Sequence, residues 1–245
     1  MYNYKLTIQY DGSRYKGWQR LRNGENTIQD KIEQVLSKMF GYEVEIIGCS
    51  RTDAGVHALG QVANVKTADQ QQPERMKAYL NQYLPEDISI LKVDQVDESF
   101  HSRYQGKKKT YLYRIWNKEY SQPFQRKYSM HVKEKLSIEA MKVAACYFIG
   151  EHDFTAFSNA KSKKKSPLRE IDQIEFQEKE GIIEIRICGN GFLYNMVRWM
   201  VGALIEVGLG KIDGSMIGAA MESKERGKTG DLAAACGLFL EEIRY

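Results

Sequence analysis

The sequence predicts an α+β protein built from two similar halves, and three observations carry that reading. Period-two alternation of apolar and polar residues, the mark of a half-buried strand, occurs at 4–10 and 110–116, and further strands read at 44–50, 61–67, 88–96, 168–176 and 182–187. Apolar residues at helical spacing fill the stretches between these strands. The order strand–helix–strand–strand then occurs twice, the two copies meeting near residue 105 with no Pro/Gly/Ser-rich linker. Residues 1–105 and 106–245 are therefore expected to be two α+β halves packed around one cleft.

In chain order, 4–10 is a strand that stops at the turn signal Asp11-Gly12. Thr27-Ile28-Gln29-Asp30 has the form of a capping box, with an acid three residues after the Thr. Ile28, Ile32, Val35, Leu36 and Met39 follow on one helical face, and Gly41 supplies the stop. Strands are predicted at 44–50 and 61–67, then a helix from Pro73 with Met76, Tyr79, Leu80 and Tyr83 on one face, then a strand at 88–96. In the second half 110–116 reads as a strand. Ser137 caps a helix that runs to Ile149 and stops at Gly150. Strands at 168–176 and 182–187 lead to an apolar helix over 194–207 and a short helix near 215–221, and the segment 236–243 ends the chain.

Composition excludes several function classes. The chain has 245 residues, 42% of them hydrophobic and 28% charged, enough to build cores in an ordinary globular protein. Its longest apolar stretch, 196–209, is interrupted by Arg198 and Glu206, so no membrane span is expected. The alternating N-terminus is unlike a secretory leader, and a cytoplasmic location is expected. Cys49, Cys146, Cys188 and Cys236 stand singly, without zinc-ligand spacing, and read as reduced structural thiols. No dinucleotide fingerprint or P-loop is present.

The net charge is only +4, but its placement is uneven. Lys107, Lys108 and Lys109 form one block; Lys161, Lys163, Lys164, Lys165 and Arg169 form another. Arg14, Lys16, Arg20 and Arg22 surround Tyr15 and Trp18 in a third. Cations interleaved with aromatics suit a phosphate backbone with unstacked bases beside it, although any single lysine run is by itself an ordinary solvated loop. Arg14, Lys16, Arg20, Arg103, Lys107, Lys109, Lys163 and Lys164 are the expected RNA contacts.

The most informative run is Gly48-Cys49-Ser50-Arg51-Thr52-Asp53-Ala54-Gly55-Val56-His57-Ala58, placed where one strand ends and the next has not begun. Three readings fit it: a surface Arg–Asp pair in a turn, two ligands of a metal site (Asp53 and His57), or an ionised carboxylate acting as nucleophile. Arg51 to Ala58 resembles the active-site loop of the TruA-type tRNA pseudouridine synthases. Tyr10-Asp11-Gly12, Gly17-Trp18-Gln19 and Thr27-Ile28-Gln29 resemble that family's opening, and Ser99 to Tyr104 with Lys109 to Tyr113 its middle signature. Gly191 to Arg198 and Gly237 to Leu240 resemble its closing blocks.

The resemblance implies two α+β halves sharing a central, mostly antiparallel sheet, the second half carrying Tyr111 and Arg198. It implies a homodimer without cofactor that isomerises uridine at tRNA positions 38, 39 and 40 in the anticodon arm. Asp53 matches the catalytic aspartate, Arg198 the arginine that pairs with it, Tyr111 the tyrosine that stacks near the target base, and Arg51 a residue that fills the space of the flipped nucleotide. An arginine beside a buried carboxylate favours its charged form, and the Tyr111 hydroxyl is a candidate base for the C5 proton. His57 and His101 are assigned no chemistry.

Ser50, Ser158 and the segment 233–236 depart from the family pattern, which bears on the choice among neighbouring uridines. Two rival readings remain at this point. One is a non-catalytic RNA-binding protein on the same scaffold, and the other a metal-dependent hydrolase using Asp53 and His57.

Overall fold

A computed structural model describes residues 1–22, 24–159 and 166–245. The chain forms two compact units, Met1–Lys107 with Phe239–Tyr245, and Lys108–Leu238. Both are mixed α and β with mostly antiparallel strands, as the sequence predicts.

In the first unit, strand β1 (Tyr2–Tyr10) is followed by helix α1 (Ile28–Phe40), β2 (Ile46–Gly48), β3 (His57–Thr67), helix α2 (Pro73–Tyr83), β4 (Ile88–Val96) and the short helix α3 (Ser102–Gln105). Strand β1 lies between β4 and β3, antiparallel to both, and β2 pairs antiparallel with β3. Tyr4, Leu6 and Ile8 are fully buried, and Ile28, Ile32 and Leu36 of α1 with Met76 and Leu80 of α2 complete the core. The alternation in β1 and the helical spacing in α1 and α2 select those side chains.

Helix α1 begins and ends where the sequence places it. The Thr27 hydroxyl accepts from the Asp30 backbone N–H at 3.4 Å, and Gly41 closes the helix in the left-handed region at φ 78°. Thr27 is fully buried, so Thr27→Ala leaves an N–H of the first turn unsatisfied. We expect it to lower stability by about 1 kcal/mol, read as a reduced urea midpoint with unchanged slope.

Register decides what the first unit presents. Tyr10 stands opposite Ala58 of β3 and Ile88 of β4, so the end of β1 and the starts of β3 and β4 meet at one edge. The Asp11-Gly12 turn, the loop ahead of His57 and Asp87 therefore become neighbours.

The second unit holds β5 (Lys108–Trp116), β6 (Met130–His131), α4 (Ile138–Ala145), β7 (Gly150–Asp153), β8 (Leu168–Lys179), β9 (Ile182–Gly189), α5 (Met196–Gly208) and α6 (Ser215–Ser223). Strands β5, β9, β8 and β7 pair in that order, all antiparallel, and β6 runs parallel beside β5. Glu180 (φ 54°) and Gly181 (φ 87°) make the two-residue turn of the β8–β9 hairpin. Ile183, Ile185 and Ile187 of β9, Met200, Val201 and Leu204 of α5, and Phe148, Phe154 and Phe157 fill the core.

Three differences from the sequence reading have physical causes. The helix expected to run to Ile149 ends at Ala145 in a 3-10 turn over Cys146–Phe148, and Gly150 (φ 100°) opens β7 rather than merely stopping a helix. The strand expected at 44–50 is formed only over Ile46–Gly48, and beyond it Cys49 N still donates to Val62 O at 2.8 Å. The last strand, β10 (Leu238–Arg244), pairs parallel to β3 through Phe239–His57 and Leu240–Ala58. Residues 239–245, placed with the second half in the sequence reading, group with the first unit.

Candidate active site

In the first unit the loop between β2 and β3 carries Arg51 and Asp53, and its backbone is held from several directions. The Gln61 side chain accepts from Ser50 N at 3.3 Å and donates to Ser50 O at 2.7 Å, extending the β2–β3 pairing by one residue. The hydroxyls of Tyr10 and Thr52 lie 2.7 Å apart. Trp18 N donates to Thr52 O at 3.0 Å, Gly55 N to Tyr15 O at 3.4 Å and Val56 N to Asp53 O at 3.1 Å.

These contacts need glycine on the facing segment. Gly17 has φ 100°, and a Cβ there would lie 2.6 Å from Thr52 O and 3.1 Å from the Asp53 carbonyl carbon. At Gly12 a Cβ would collide with the Val56 carbonyl. The facing segment is itself fixed, since Arg14 pairs with Asp87 at 2.5 Å and the Tyr15 hydroxyl donates to the same carboxylate at 2.5 Å. Burial, and then the hydrogen bond to Asp87, push the Tyr15 phenol well above its ordinary range, so it remains a neutral donor.

Thr52 and Val56 are buried, whereas Asp53 is partly exposed and Arg51 and Ala54 are open to solvent. A rigid backbone thus presents one carboxylate and one guanidinium at its tip. His57 serves the frame: its Nδ1 lies 3.1 Å from both Gly12 N and Asp11 Oδ1, and its ring stacks on Phe239 at 4.7 Å. With Nδ1 committed to that turn and the ring buried, His57 has a structural task, as the sequence reading assumed.

The expected RNA-contacting cations divide into two groups. Arg14 is tied to Asp87, and Arg20 is surrounded by Glu33 (3.0 Å), Glu43 (3.6 Å) and Glu45 (2.8 Å). Glu33 is buried in α1, which raises its pKa; its Oε1 accepts from the Ile46 N–H and the Gln29 amide, and its Oε2 faces Arg20. Lys16 and Lys107 are exposed, Lys109 is half-exposed, and Arg103 is half-buried against Gly48. Lys163 and Lys164 lie outside the described residues.

In the second unit Tyr111 sits on β5 opposite Ile187, 7% exposed, with Phe192 edge-on at 5.0 Å. Arg198 lies in the first turns of α5 and is half-buried. Its Nε donates to Ala233 O at 2.7 Å and one terminal nitrogen to Asn195 Oδ1 at 3.4 Å, both neutral acceptors. Asn195 precedes the helix in the left-handed region (φ 62°), a conformation Asn tolerates better than most residues. The sequence reading passed over Asn195, Gln61 and the Tyr15–Asp87 pair. For Asn195 the available signal was an Asn directly before a long apolar helix.

Comparison with known proteins points to one family. Residues 6–105 and 144–245 match the family model described as tRNA pseudouridine synthase. A tRNA pseudouridine synthase A 2 from Bacillus cereus (strain ZK / E33L) is 60% identical over the whole of both chains. A tRNA pseudouridine synthase A from Bacillus sp. (strain KSM-64) is 61% identical, and one from Acetivibrio thermocellus 45% identical, again over the full length of each. The loop, the order of the blocks and these full-length matches lead to one conclusion: the chain belongs to the tRNA pseudouridine synthase family.

Proposed function

We propose that Asp53 is the carboxylate through which this chain isomerises uridine to pseudouridine, and that its targets are tRNA positions 38, 39 and 40 in the anticodon arm. The reaction breaks the C1′–N1 bond, turns the uracil and rejoins it through C5, so substrate and product are isomers and the atoms balance without a donor or redox partner. The observation that carries the proposal is the loop itself. Thr52 and Val56 are locked by buried contacts while the Asp53 side chain between them stays accessible.

A base stacked in an RNA stem or loop must leave its stack before a side chain reaches its glycosidic bond, at a cost of a few kcal/mol. Arg51, exposed at the tip of the same loop, is suited to fill the vacated space. Tyr111 offers an aromatic face for the extruded ring, and stacking of that kind contributes roughly 1–3 kcal/mol per base. In this proposal Arg198 completes the site by pairing with the Asp53 carboxylate and holding it ionised. Three roles are chemically open to that carboxylate: attack at C1′, addition at C6 or removal of the C2′ proton.

Lys16, Lys107 and Lys109 are the proposed contacts to the RNA backbone, with Lys163 and Lys164 of the lysine-rich segment. The proposal places the chain in the cytoplasm as a homodimer, where its tRNA substrate is found. Among the described residues no helix is long and apolar enough to cross a membrane.

The test is position-resolved pseudouridine mapping of unmodified tRNA incubated with the purified chain, with and without a chelator. Pseudouridine at one or more of positions 38–40, unchanged by the chelator, is the expected result. Tight RNA binding with no pseudouridine at any position would leave a non-catalytic RNA-binding protein.

A further inference from the structure

Helix α3 and the residue before it form a feature that the site described above does not use. His101 and Tyr104 stack ring on ring, 4.1 Å apart at 30°. Tyr104 is 80% exposed, so the face of its ring turned away from His101 is open to solvent. An exposed tyrosine on a loose loop would be unremarkable, but α3 is anchored. Ser102 is fully buried, its N–H donates to Asn64 Oδ1 at 3.0 Å, its hydroxyl bonds Ile47 O, and its carbonyl accepts from the Tyr245 hydroxyl at 3.0 Å. His101 Nδ1 accepts from Arg103 N at 3.2 Å. The aromatic face is therefore held in place before any ligand arrives, which lowers the entropic cost of using it.

Arg103, in the same short helix, reaches the segment that leads into the Asp53 loop. Two of its N–H groups point at Gly48 O, at 3.4 and 3.3 Å, five residues before Asp53. A half-buried guanidinium ordinarily has a carboxylate partner. Among the described residues Arg103 has none, and neither has Arg51. Burial, and then repulsion from the Arg51 guanidinium, depress the Arg103 pKa. Arg14 and Arg20 show the contrast, since both are already matched with carboxylates.

Unmatched guanidiniums suit an oxyanion with which they can form charge-assisted hydrogen bonds. An anchored, exposed ring beside them suits a flat, apolar face. A nucleotide supplies both, a phosphate for the one and a base for the other. We propose that Arg103, flanked by Arg51, and the open face of Tyr104 form a second nucleotide subsite, which takes the backbone phosphate and the unstacked base of a residue neighbouring the target uridine. The inference rests on the reading of tRNA as substrate and adds Tyr104 to the contacts already named. His101 acts in it as the rear support of the Tyr104 ring.

The experiment measures the affinity of the full chain for an unmodified tRNA transcript by fluorescence anisotropy across a salt series. Pseudouridine formation is followed separately at saturating enzyme. Tyr104→Ala is expected to weaken binding about tenfold to a hundredfold, the loss of one base stack. Tyr104→Phe keeps the ring and is expected to bind as the wild type does. Arg103→Gln is expected to reduce the slope of log affinity against log salt by about 0.7–0.9, the contribution of one phosphate.

Unchanged affinity in Tyr104→Ala, whose side chain is too exposed to support the fold, would overturn the subsite. So would equal losses in Tyr104→Ala and Tyr104→Phe, which would assign the effect to the hydroxyl. An active wild type with an unaffected Tyr104→Ala sinks this inference alone. A wild type that makes no pseudouridine, with Tyr104→Ala binding weakly, sinks the catalytic reading and leaves the subsite standing.

Discussion

Asp53→Asn is expected to abolish pseudouridine formation, lowering the single-turnover rate by at least about 10³-fold, because no neighbour replaces a lost nucleophile or base. The substitution preserves the shape of the side chain and removes only its charge and basicity. The loop should survive it, since contacts at Ser50, Thr52, Gly55, Val56 and the Asp53 carbonyl remain to hold it. Binding of tRNA should change by no more than a few-fold, as the carboxylate contributes no attraction to phosphate. The measurement is release of label from C5 of uridine in tRNA, with affinity read in parallel. A variant that retains a tenth or more of the wild-type rate would remove Asp53 from the chemistry. A variant that loses activity and affinity together would instead indicate a disrupted loop, and thermal melting of the same sample separates that case.

How much of this was legible in the sequence depended on whether the determinant was local. Helix α1 was readable end to end because the Thr27 cap, the buried stripe from Ile28 to Leu36 and the left-handed Gly41 all lie within one short stretch. Strand β4 came out at 88–96 for the same reason, being flanked by turn residues. The Asp53 loop was recognised by a run of eight residues, and its placement between β2 and β3 followed from two short apolar segments.

What stayed hidden was non-local. Strand β10 joins β3 in parallel from the far end of the chain, and no periodicity reports a partner. Arg14 and Arg20 read as RNA-facing because their acids, Asp87 in one case and Glu33, Glu43 and Glu45 in the other, are distant in sequence. The four-residue helix α3 is too short for any periodic signal, yet it presents the most exposed tyrosine of the first unit. Strand β7 was hidden because its residues, Gly150 to Asp153, do not alternate, and only pairing with β8 makes them a strand.

The support of the Asp53 loop leads to the second large effect, Gly17→Ala. Gly17 does two things at once. It adopts φ 100°, where an L-residue is strained, and it lets Thr52–Ala54 approach closer than a Cβ would permit, with Thr52 O 2.6 Å from the position that atom would take. The strain alone costs about 1–3 kcal/mol. The collision cannot be relieved on the Gly17 side, because Gly17 O accepts from Ile28 N at 3.2 Å and Trp18 O from Gln29 N at 2.9 Å, tying the segment to the start of α1. The loop must therefore give way, and Asp53 moves with it. A displacement approaching 1 Å at a reacting group lowers turnover about 10²-fold, so kcat is expected to fall by about that factor while tRNA affinity stays nearly constant. Gly41→Ala is the matching control: Gly41 has φ 78° but nothing within 4 Å of its would-be Cβ, so it carries the strain without the collision. That variant should lose stability and keep its rate. If Gly41→Ala lost turnover as severely as Gly17→Ala, the rate would be following global stability. If Gly17→Ala folded and turned over normally, the close approach of Gly17 to Thr52 would not be what positions the carboxylate. The expected split, stability lost in both and turnover lost in one, would tie the chemistry at Asp53 to a backbone contact that only glycine allows.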